Sequence, residues 1–195
     1  MEKPIAIKLR PQNIDEIIGQ DHLFSNTGFI RKMVERNKLF SMIFFGPPGT
    51  GKTTAAIAIC NSLKLNYVLL NATINNKRDV EEAINKAKEN GHLVIIMDEV
   101  HRLNKDKQDY LLDYIESGLI TLIGATTANP YHSINPAIRS RCHLVEFHPL
   151  NKEHIIKILN NAIISKNGLN NEYKFDNDAI ELIASFFVVF IHLNV

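Results

Sequence analysis

The sequence predicts an α/β fold, in which helices cover both faces of a parallel β-sheet. From Ser41 onward, short runs rich in β-branched and aromatic residues alternate with helical patterns, which is typical of this class. The predicted strands are SMIFFG, YVLLNA, LVIIMDEV, ITLIGATT and HLVEFH. After Pro149 the alternation stops and two helical patterns follow. We therefore predict a sheet domain over residues 1–150 and a partial helical domain over residues 151–195.

The helices follow from apolar spacing and from residues that end helices. KTTAAIAICNSL is apolar almost all round, which predicts a buried helix. Apolar residues from Val80 to Ala87 follow the i, i+3, i+4, i+7 spacing of a half-buried helix, with Asn76 as its cap and Gly91 after its end. Further predicted helices are NTGFIRKMVERNK, KDKQDYLLDYIESG, NKEHIIKILNNAIISK and DNDAIELIASFF. The stretch RPQNIDEIIGQDHL predicts a loop with one short helical turn.

Composition limits the function classes. The 195 residues are 45% hydrophobic and 22% charged, enough for an ordinary core, and the net charge of +1 creates no overall attraction to nucleic acid or anionic membranes. The two cysteines are far apart, and the N-terminus has no apolar signal segment. The apolar run from Ala184 to Leu193 is too short for a bilayer of ~30 Å and predicts a core element. We expect a cytoplasmic protein without membrane contact.

The segment MIFFGPPGTGKTT contains the pattern G-x-x-x-x-G-K-[ST] between a predicted strand and a predicted helix. Glycines let backbone N–H groups turn inward around phosphates, and the helix N-terminus adds its positive dipole end. Lys52 would reach the β- and γ-phosphates, and the Thr53 hydroxyl would bind Mg²⁺. The alternative is a strand-to-helix turn that is merely rich in glycine. The predicted phosphate-binding residues are Gly46, Pro47, Pro48, Gly49, Thr50, Gly51, Lys52, Thr53 and Thr54.

Two carboxylates follow the apolar strand LVIIM. Ligands of open α/β sheets bind at the carboxyl edge of the strands, which is where Asp98 and Glu99 would lie. Asp98 would hold Mg²⁺ through water, and Glu99 would orient or deprotonate the attacking water. The alternative is an acidic strand end that caps the next loop.

Three other sites have a functional and a structural interpretation. Thr126 ends the strand in GATT and could contact the γ-phosphate or its attacking water, but threonine is also a common strand residue. Arg139 and Arg141 could stabilise charge on a transferring phosphoryl group, or simply end a short helix. His101 could sense nucleotide, although a loop histidine more often makes structural hydrogen bonds.

In this order, these segments resemble an AAA+ ATPase. Within that superfamily they closely resemble the replication-associated recombination protein A family, to which the eukaryotic Werner helicase-interacting protein is related. The resemblance runs from Arg10 to about Leu150. It is carried by RPQNIDEIIGQDHL, FFGPPGTGKTT, IMDEVHRLNKDKQDYLLDYIESGLITLIGATTANP and INPAIRSRC.

The resemblance implies the sheet order 5-1-4-3-2, with the strand of Thr126 between the strands of the phosphate loop and Asp98. It assigns the segment from Arg10 to Gln20 to the adenine side of the site, chiefly Ile17, Ile18 and Gly19. It makes Thr126 the residue that orients water. It also makes Arg141 an arginine finger that reaches the ATP of a neighbouring subunit.

The implied function is that of a clamp-loader-type ATPase in replication, recombination and repair. Its implied partners are ATP and Mg²⁺, DNA at single-stranded gaps, ends or stalled forks, other copies of the chain, and replication proteins such as single-strand binding protein. Two alternatives stay open, a non-catalytic nucleotide-binding interaction module and a Holliday-junction branch-migration motor. The motors share GATT, but SRC and the ANP after the threonines fit the recombination family better.

The sequence departs from the family pattern near its end. Family members continue through a helical lid with a GDAR-like sensor arginine and then an oligomerisation domain. Here no arginine follows Arg141, and FFVVFIHLNV stands where the sensor would be expected. We therefore expect an incomplete lid and no oligomerisation domain in this chain.

Overall fold

The computed structural model describes the backbone of residues 4–193 and the side chains of residues 4–188. Within this range one sheet contains five strands, in the order β2-β3-β4-β1-β5, and all neighbouring strands are parallel. The strands are β1 (Met42–Phe45), β2 (Tyr67–Asn71), β3 (Leu93–Asp98), β4 (Ile120–Thr126) and β5 (His143–Glu146). The predicted fold class and the order 5-1-4-3-2, counted from the other edge, are confirmed.

The described residues contain ten α-helices, several of which are only one turn long. They are α1 (Ile5–Lys8), α2 (Asp21–Phe24), α3 (Phe29–Glu35), α4 (Lys52–Ser62), α5 (Lys77–Asn90), α6 (Lys105–Glu116), α7 (Pro130–Ser133), α8 (Pro136–Arg139), α9 (Lys152–Ile164) and α10 (Asn177–Leu193). The 3₁₀ turns Ile14–Glu16 and Val100–Arg102 complete the set. The sequence did not predict α1 or α7, and it predicted one short turn where the Ile14–Glu16 turn and α2 both form.

The interior strand β3 supplies side chains to two cores, one on each face of the sheet. Ile95 and Met97 pack into the cluster that contains α5 and α6, whereas Val94 and Ile96 pack into the cluster that contains α3 and α4. All four side chains are fully buried. Because alternate residues of a strand point to opposite faces, a continuous apolar run is what a strand covered on both sides needs.

Helix α5 begins and ends where the sequence predicts. The Asn76 side chain accepts hydrogen bonds from the backbone N–H groups of Arg78 and Asp79, and the Asp79 carboxylate accepts the backbone N–H of Asn76 at 2.7 Å. This reciprocal pair is a capping box. Gly91 follows the helix with φ of 79°, the left-handed conformation that glycine adopts most easily.

Helices α9 and α10 pack against each other around a separate small cluster of Leu150, Ile155 and Ala184. Lys152 Nζ and Glu181 Oε2 pair across them at 2.9 Å. The predicted core role of the apolar run is wrong for Phe186, which is 68% exposed, because it does not lie on the face of α10 where Ala184 and Val188 pack against α9. The side chains of 189–193 lie outside the described part, as do residues 1–3 and 194–195 of the two predicted domains. Their boundary at residue 150 stays a prediction.

No helix in the described range is both long enough and apolar enough to cross a membrane.

Candidate functional site

A glycine-rich loop connects the carboxyl end of β1 to the start of α4. Three of its glycines have positive φ, with 138° at Gly46, 72° at Gly49 and 90° at Gly51. Gly46 also lies against the backbone of Phe147, whose carbonyl oxygen would overlap any Cβ at this position. Pro47 and Pro48 are half-buried between these glycines. The chain therefore turns sharply here and leads directly into the N-terminus of an 11-residue helix.

Lys52 is the first residue of α4, and its side chain lies inside the loop. Its Nζ donates to the carbonyl oxygens of Gly46 at 2.8 Å and Pro47 at 2.7 Å, and the residue is only 8% exposed. Burial lowers the pKa of Lys52 from 10.5 to about 8, and the nearby carboxylates of Glu99 and Asp98 partly oppose this effect. An anion in the loop would raise the pKa of Lys52 again, since an opposite charge favours the ammonium.

Hydroxyl and carboxylate oxygens lie in the loop, in the first turn of α4 and at the end of β3. Thr50 is buried, and its hydroxyl donates to the carbonyl of Pro47 at 2.9 Å. Thr53 and Thr54 lie half-buried in the first turn of α4. At the end of β3, the Asp98 carboxylate accepts the backbone N–H of Glu99 at 3.0 Å. A threonine hydroxyl and a carboxylate are the hard oxygen ligands that suit Mg²⁺.

Glu99 has φ of 51° and ψ of 40°, so its backbone is in the left-handed region that residues with a side chain adopt at a cost. Such strain clusters at functional sites. Its carboxylate Oε2 lies 3.3 Å from His101 Nδ1, and that nitrogen lies 2.8 Å from the hydroxyl of Thr126. Thr126 is 1% exposed at the end of β4, beside Phe45, the last residue of β1 before the loop.

A cavity of about 830 Å³ adjoins the phosphate loop. Ile17 and Ile18 line it, together with the loop from Gly49 to Gly51 and with Thr54. The sequence interpretation missed its other two walls, α1 and α9. The residues that line it from α9 are partly polar, so an apolar periodicity in the sequence does not mark this wall. The α9 residues that line the cavity are Ile158, Asn161, Ala162 and Ile164, and Ser165 lines it directly after the helix.

Gln20 is a further residue that sequence reasoning passed over. It is 5% exposed, and its side-chain amide donates to the carbonyls of His148 at 2.7 Å and Thr50 at 3.4 Å. Its Oε1 also accepts the N–H of His148 at 2.9 Å. Gln20 thus ties the segment that carries Ile17 and Ile18 to the phosphate loop and to the chain leaving β5.

Arg141 lies at the amino ends of the strands, whereas the phosphate loop lies at their carboxyl ends. It precedes β5, whose first residue, His143, is in register with Met42 at the start of β1. Arg141 Nη2 pairs with Glu116 Oε1 at 2.5 Å, and its Nη1 donates to the carbonyl of Ala137 at 2.8 Å. Its side chain is 39% exposed.

The family comparison agrees with this loop and sheet. The family model described as "ATPase family associated with various cellular activities (AAA)" matches residues 42–150, more than half of the chain. The chain belongs to the AAA family of ATPases. A model of the TIP49 P-loop domain also matches this AAA chain, over residues 7–74.

Similar AAA proteins include bacterial and eukaryotic relatives. The chain is 53% identical over 161 residues to replication-associated recombination protein A of Bacillus subtilis, and 38% identical over 168 residues to the protein of that name of Escherichia coli K12. It is 34% identical over 186 residues to ATPase WRNIP1 of Dictyostelium discoideum. The predicted resemblance to the recombination protein A family is confirmed. These alignments cover 83%, 84% and 93% of this chain, but only 38%, 38% and 21% of the respective relatives.

Among solved structures, the chain is similar to the Thermotoga maritima RuvB Holliday junction branch migration motor. The TM-score is 0.74 at 29% sequence identity, and the match covers 91% of this chain and 59% of that structure.

The AAA fold brings most of the predicted site residues to one edge of its sheet. The loop residues and Glu99 follow the carboxyl ends of strands, and Asp98 and Thr126 are the last residues of theirs. Ile17 and Ile18 line the cavity that adjoins the loop. Arg141 is not among them. His101, for which the structural interpretation was preferred, joins two of the predicted residues directly.

Proposed function

We propose that this AAA chain hydrolyses ATP by in-line attack of water on the γ-phosphate. Membership of the AAA ATPase family implies ATP binding and hydrolysis. One observation carries the residue-level proposal: the Lys52 ammonium lies in the phosphate loop, close enough to the carboxylates of Asp98 and Glu99 for both to act on its pKa. A cation for phosphates and two carboxylates for metal and water are the parts that phosphoryl transfer to water requires.

In this proposal the loop amides and Lys52 bind the β- and γ-phosphates, and Ile17 and Ile18 contact the adenine. The hydroxyl of Thr53 and the carboxylate of Asp98 would hold Mg²⁺, which neutralises charge on the β- and γ-phosphates when bound. The helix dipole of α4 adds partial positive charge at the same place. These interactions position the nucleotide and contribute little covalent chemistry of their own.

The proposal gives the chemical step to residues from three places. Glu99 accepts a proton from the attacking water, and Thr126 orients that water through its hydroxyl. Arg141, supplied by a neighbouring copy, stabilises charge on the transferring phosphoryl group. Its position at the other edge of the sheet supports a role in trans, because it lies far from the loop of its own chain.

The Glu99→Gln variant tests the proposed base. An amide keeps the shape of the side chain but takes up no proton, so hydrolysis should fall by about 10² to 10⁴. Binding of ATP, measured by calorimetry, should change less than about threefold, because the phosphate contacts are left intact. Glu89→Gln, an exposed position on α5, is the matched control and should hydrolyse ATP at the wild-type rate. Equal hydrolysis by Glu99→Gln and wild type would remove Glu99 from the mechanism.

We further propose that the ATPase acts on DNA at single-stranded gaps, ends or forks, as a clamp-loader-type homo-oligomer working with single-strand binding protein. The support is the similarity to proteins named for replication-associated recombination. Steady-state hydrolysis should be measured across protein concentrations, with and without single-stranded and forked DNA. Stimulation by DNA and specific activity that rises with protein concentration are expected. Unchanged rates in every condition would contradict the DNA-dependent proposal.

The similarity to RuvB favours a second candidate, a branch-migration motor. Its distinguishing activity is ATP-driven movement of a four-way DNA junction, which fork or gap substrates do not report. The third candidate is a non-catalytic nucleotide-binding module. It predicts nucleotide binding without turnover in the same hydrolysis experiment.

A further inference from the structure

His101 lies between the two residues proposed to handle the attacking water. It belongs to the 3₁₀ turn Val100–Arg102, which begins directly after Glu99, and its side chain is only 13% exposed. Its Nδ1 is 2.8 Å from Thr126 Oγ1 and 3.3 Å from Glu99 Oε2. One ring nitrogen thus faces both oxygens.

The hydrogen-bond requirements of these groups decide where the imidazole carries hydrogen. An ionised carboxylate can only accept, so a bare Nδ1 would place its lone pair against the lone pairs of Glu99. A hydrogen on Nδ1 removes this conflict, because it can be donated to both the carboxylate and the Thr126 hydroxyl. The geometry therefore favours imidazole forms with Nδ1–H over the form protonated only at Nε2.

A hydrogen on His101 Nδ1 determines how the Thr126 hydroxyl takes part in hydrogen bonds. Thr126 Oγ1 already accepts the backbone N–H of Ala128 at 3.0 Å. If it also accepts from His101 Nδ1, both of its lone pairs are used, and its own hydrogen is left to donate elsewhere. Thr126 lies beside Phe45, where β1 enters the phosphate loop, so its hydroxyl is placed next to the loop that is proposed to hold the phosphates.

We propose that His101 is a positioning residue for hydrolysis, which acts through the Nδ1–H that it shares between Glu99 and Thr126. The shared hydrogen bond holds the base and the water-orienting hydroxyl in one network and keeps the Thr126 hydrogen free to donate. This inference rests on the proposed roles of Glu99 and Thr126 in ATP hydrolysis. It assigns His101 no contact with the reacting atoms.

Three substitutions of His101 distinguish an effect of the N–H position from an effect of side-chain size. In His101→Asn the side-chain amide nitrogen takes the place of Nδ1, whereas in His101→Gln the amide lies one bond further out, and His101→Leu has no donor. We expect kcat within about threefold of wild type for the asparagine variant and about tenfold or more lower for the other two, with KM for ATP unchanged in all three. Equal kcat values in all three variants would overturn the proposal, whether those values are high or low.

Nitrogen NMR of protein labelled with ¹⁵N-histidine tests the same inference without turnover. The His101 signals are assigned by their loss in His101→Asn, and we expect a directly bonded hydrogen on Nδ1. Hydrogen only on Nε2 would overturn the proposed network, even if ATP hydrolysis proceeds. Conversely, Nδ1–H together with full activity of Glu99→Gln would refute the proposed role of Glu99 in hydrolysis and leave the hydrogen-bond network intact.

Discussion

Lys52 should make the stability of the protein depend on pH in the alkaline range. Burial lowers the pKa of Lys52 from 10.5 to about 8. Between these two values the unfolded chain holds a proton that the folded protein has lost, so the free energy of unfolding contributed by this group rises with pH. We expect wild type to gain stability relative to Lys52→Met between about pH 8 and pH 10, measured by urea denaturation without nucleotide.

The comparison with Lys52→Met is needed because other groups oppose this trend. Burial raises the pKa of both thiols, Cys60 and Cys142, from 9.0 to about 12. The unfolded chain releases these protons first, so their contribution to stability falls as pH rises above about 9. Both proteins contain the thiols, and the difference between them isolates the lysine. A difference that stays constant from pH 7 to pH 10 would show that the Lys52 ammonium is not perturbed.

Two glycines of the phosphate loop should respond differently to the same substitution. A Cβ at Gly46 would overlap the backbone of Phe147, whereas no described atom lies within 4 Å of a Cβ at Gly51. Both have positive φ, which costs an alanine about 1–2 kcal/mol, and overlap with a packed neighbour adds about 1–3 kcal/mol. Gly46→Ala should therefore lower the free energy of unfolding by about 2 kcal/mol more than Gly51→Ala. Equal losses in thermal or urea unfolding would contradict the close approach.

Single residues of the site could be predicted where a short sequence pattern marks them. Lys52 and Asp98 follow apolar strands at fixed spacing, so the sequence alone places them at the sheet edge. His101 and Gln20 gave no such signal, because the contacts of His101 with Thr126 and of Gln20 with His148 join residues that are distant in sequence. Thr126 is 25 residues from His101, and His148 is 128 residues from Gln20. Only the tertiary packing of β4 and of the chain after β5 creates these contacts.

At the scale of secondary-structure elements, the length of a helix decided whether the sequence could predict it. Helix α5 has 14 residues, an apolar stripe and a cap at each end, and its predicted bounds were right to within one residue. Helices α1 and α7 have four residues each, too few for a helical period to be visible. This matters for function, because α1 forms one wall of the cavity beside the loop.

The packing of α10 on α9 should depend on one small side chain. Ala184 is fully buried between the two helices, whereas the adjacent Ile183 is 46% exposed. Ala184→Asp would bury a carboxylate without a partner, which costs several kcal/mol, so α10 should detach. Hydrogen exchange of the amides in residues 177–188 should then approach that of an unprotected peptide.

Ile183→Asp is the matched control, because it places the same side chain in the same helix at an exposed position. It should change the free energy of unfolding by less than about 0.5 kcal/mol and leave amide protection in place. Similar loss of protection in both variants would mean that helix propensity, rather than packing on α9, holds α10.

At the scale of the whole molecule, the phosphate loop and Arg141, both proposed to act in catalysis, lie at opposite ends of the parallel strands. The phosphate loop follows the carboxyl end of β1, and Arg141 precedes the amino end of the parallel strand β5. Four residues of strand separate these edges by about 13 Å, and both the loop and Arg141 lie beyond the strand ends. A head-to-tail neighbour can bring its own Arg141 to the loop, and such heterologous contacts tend to close into rings.

Mixing two inactive variants tests whether the site is shared between copies. Lys52→Met should lose nucleotide binding, and Arg141→Ala should lose the group that stabilises the transferring phosphoryl, so each should be nearly inactive alone. In an equal mixture that associates randomly, about a quarter of the interfaces combine an intact Lys52 with an intact Arg141. We therefore expect the mixture to recover about a quarter of the wild-type ATPase activity.

Arg139→Ala is the control for this mixing experiment. The Arg139 guanidinium donates to the carbonyl of Tyr131 in its own chain at 2.7 Å, so this variant should hydrolyse ATP alone. A mixture no more active than its two components would show that Arg141 does not complete the site of a neighbour.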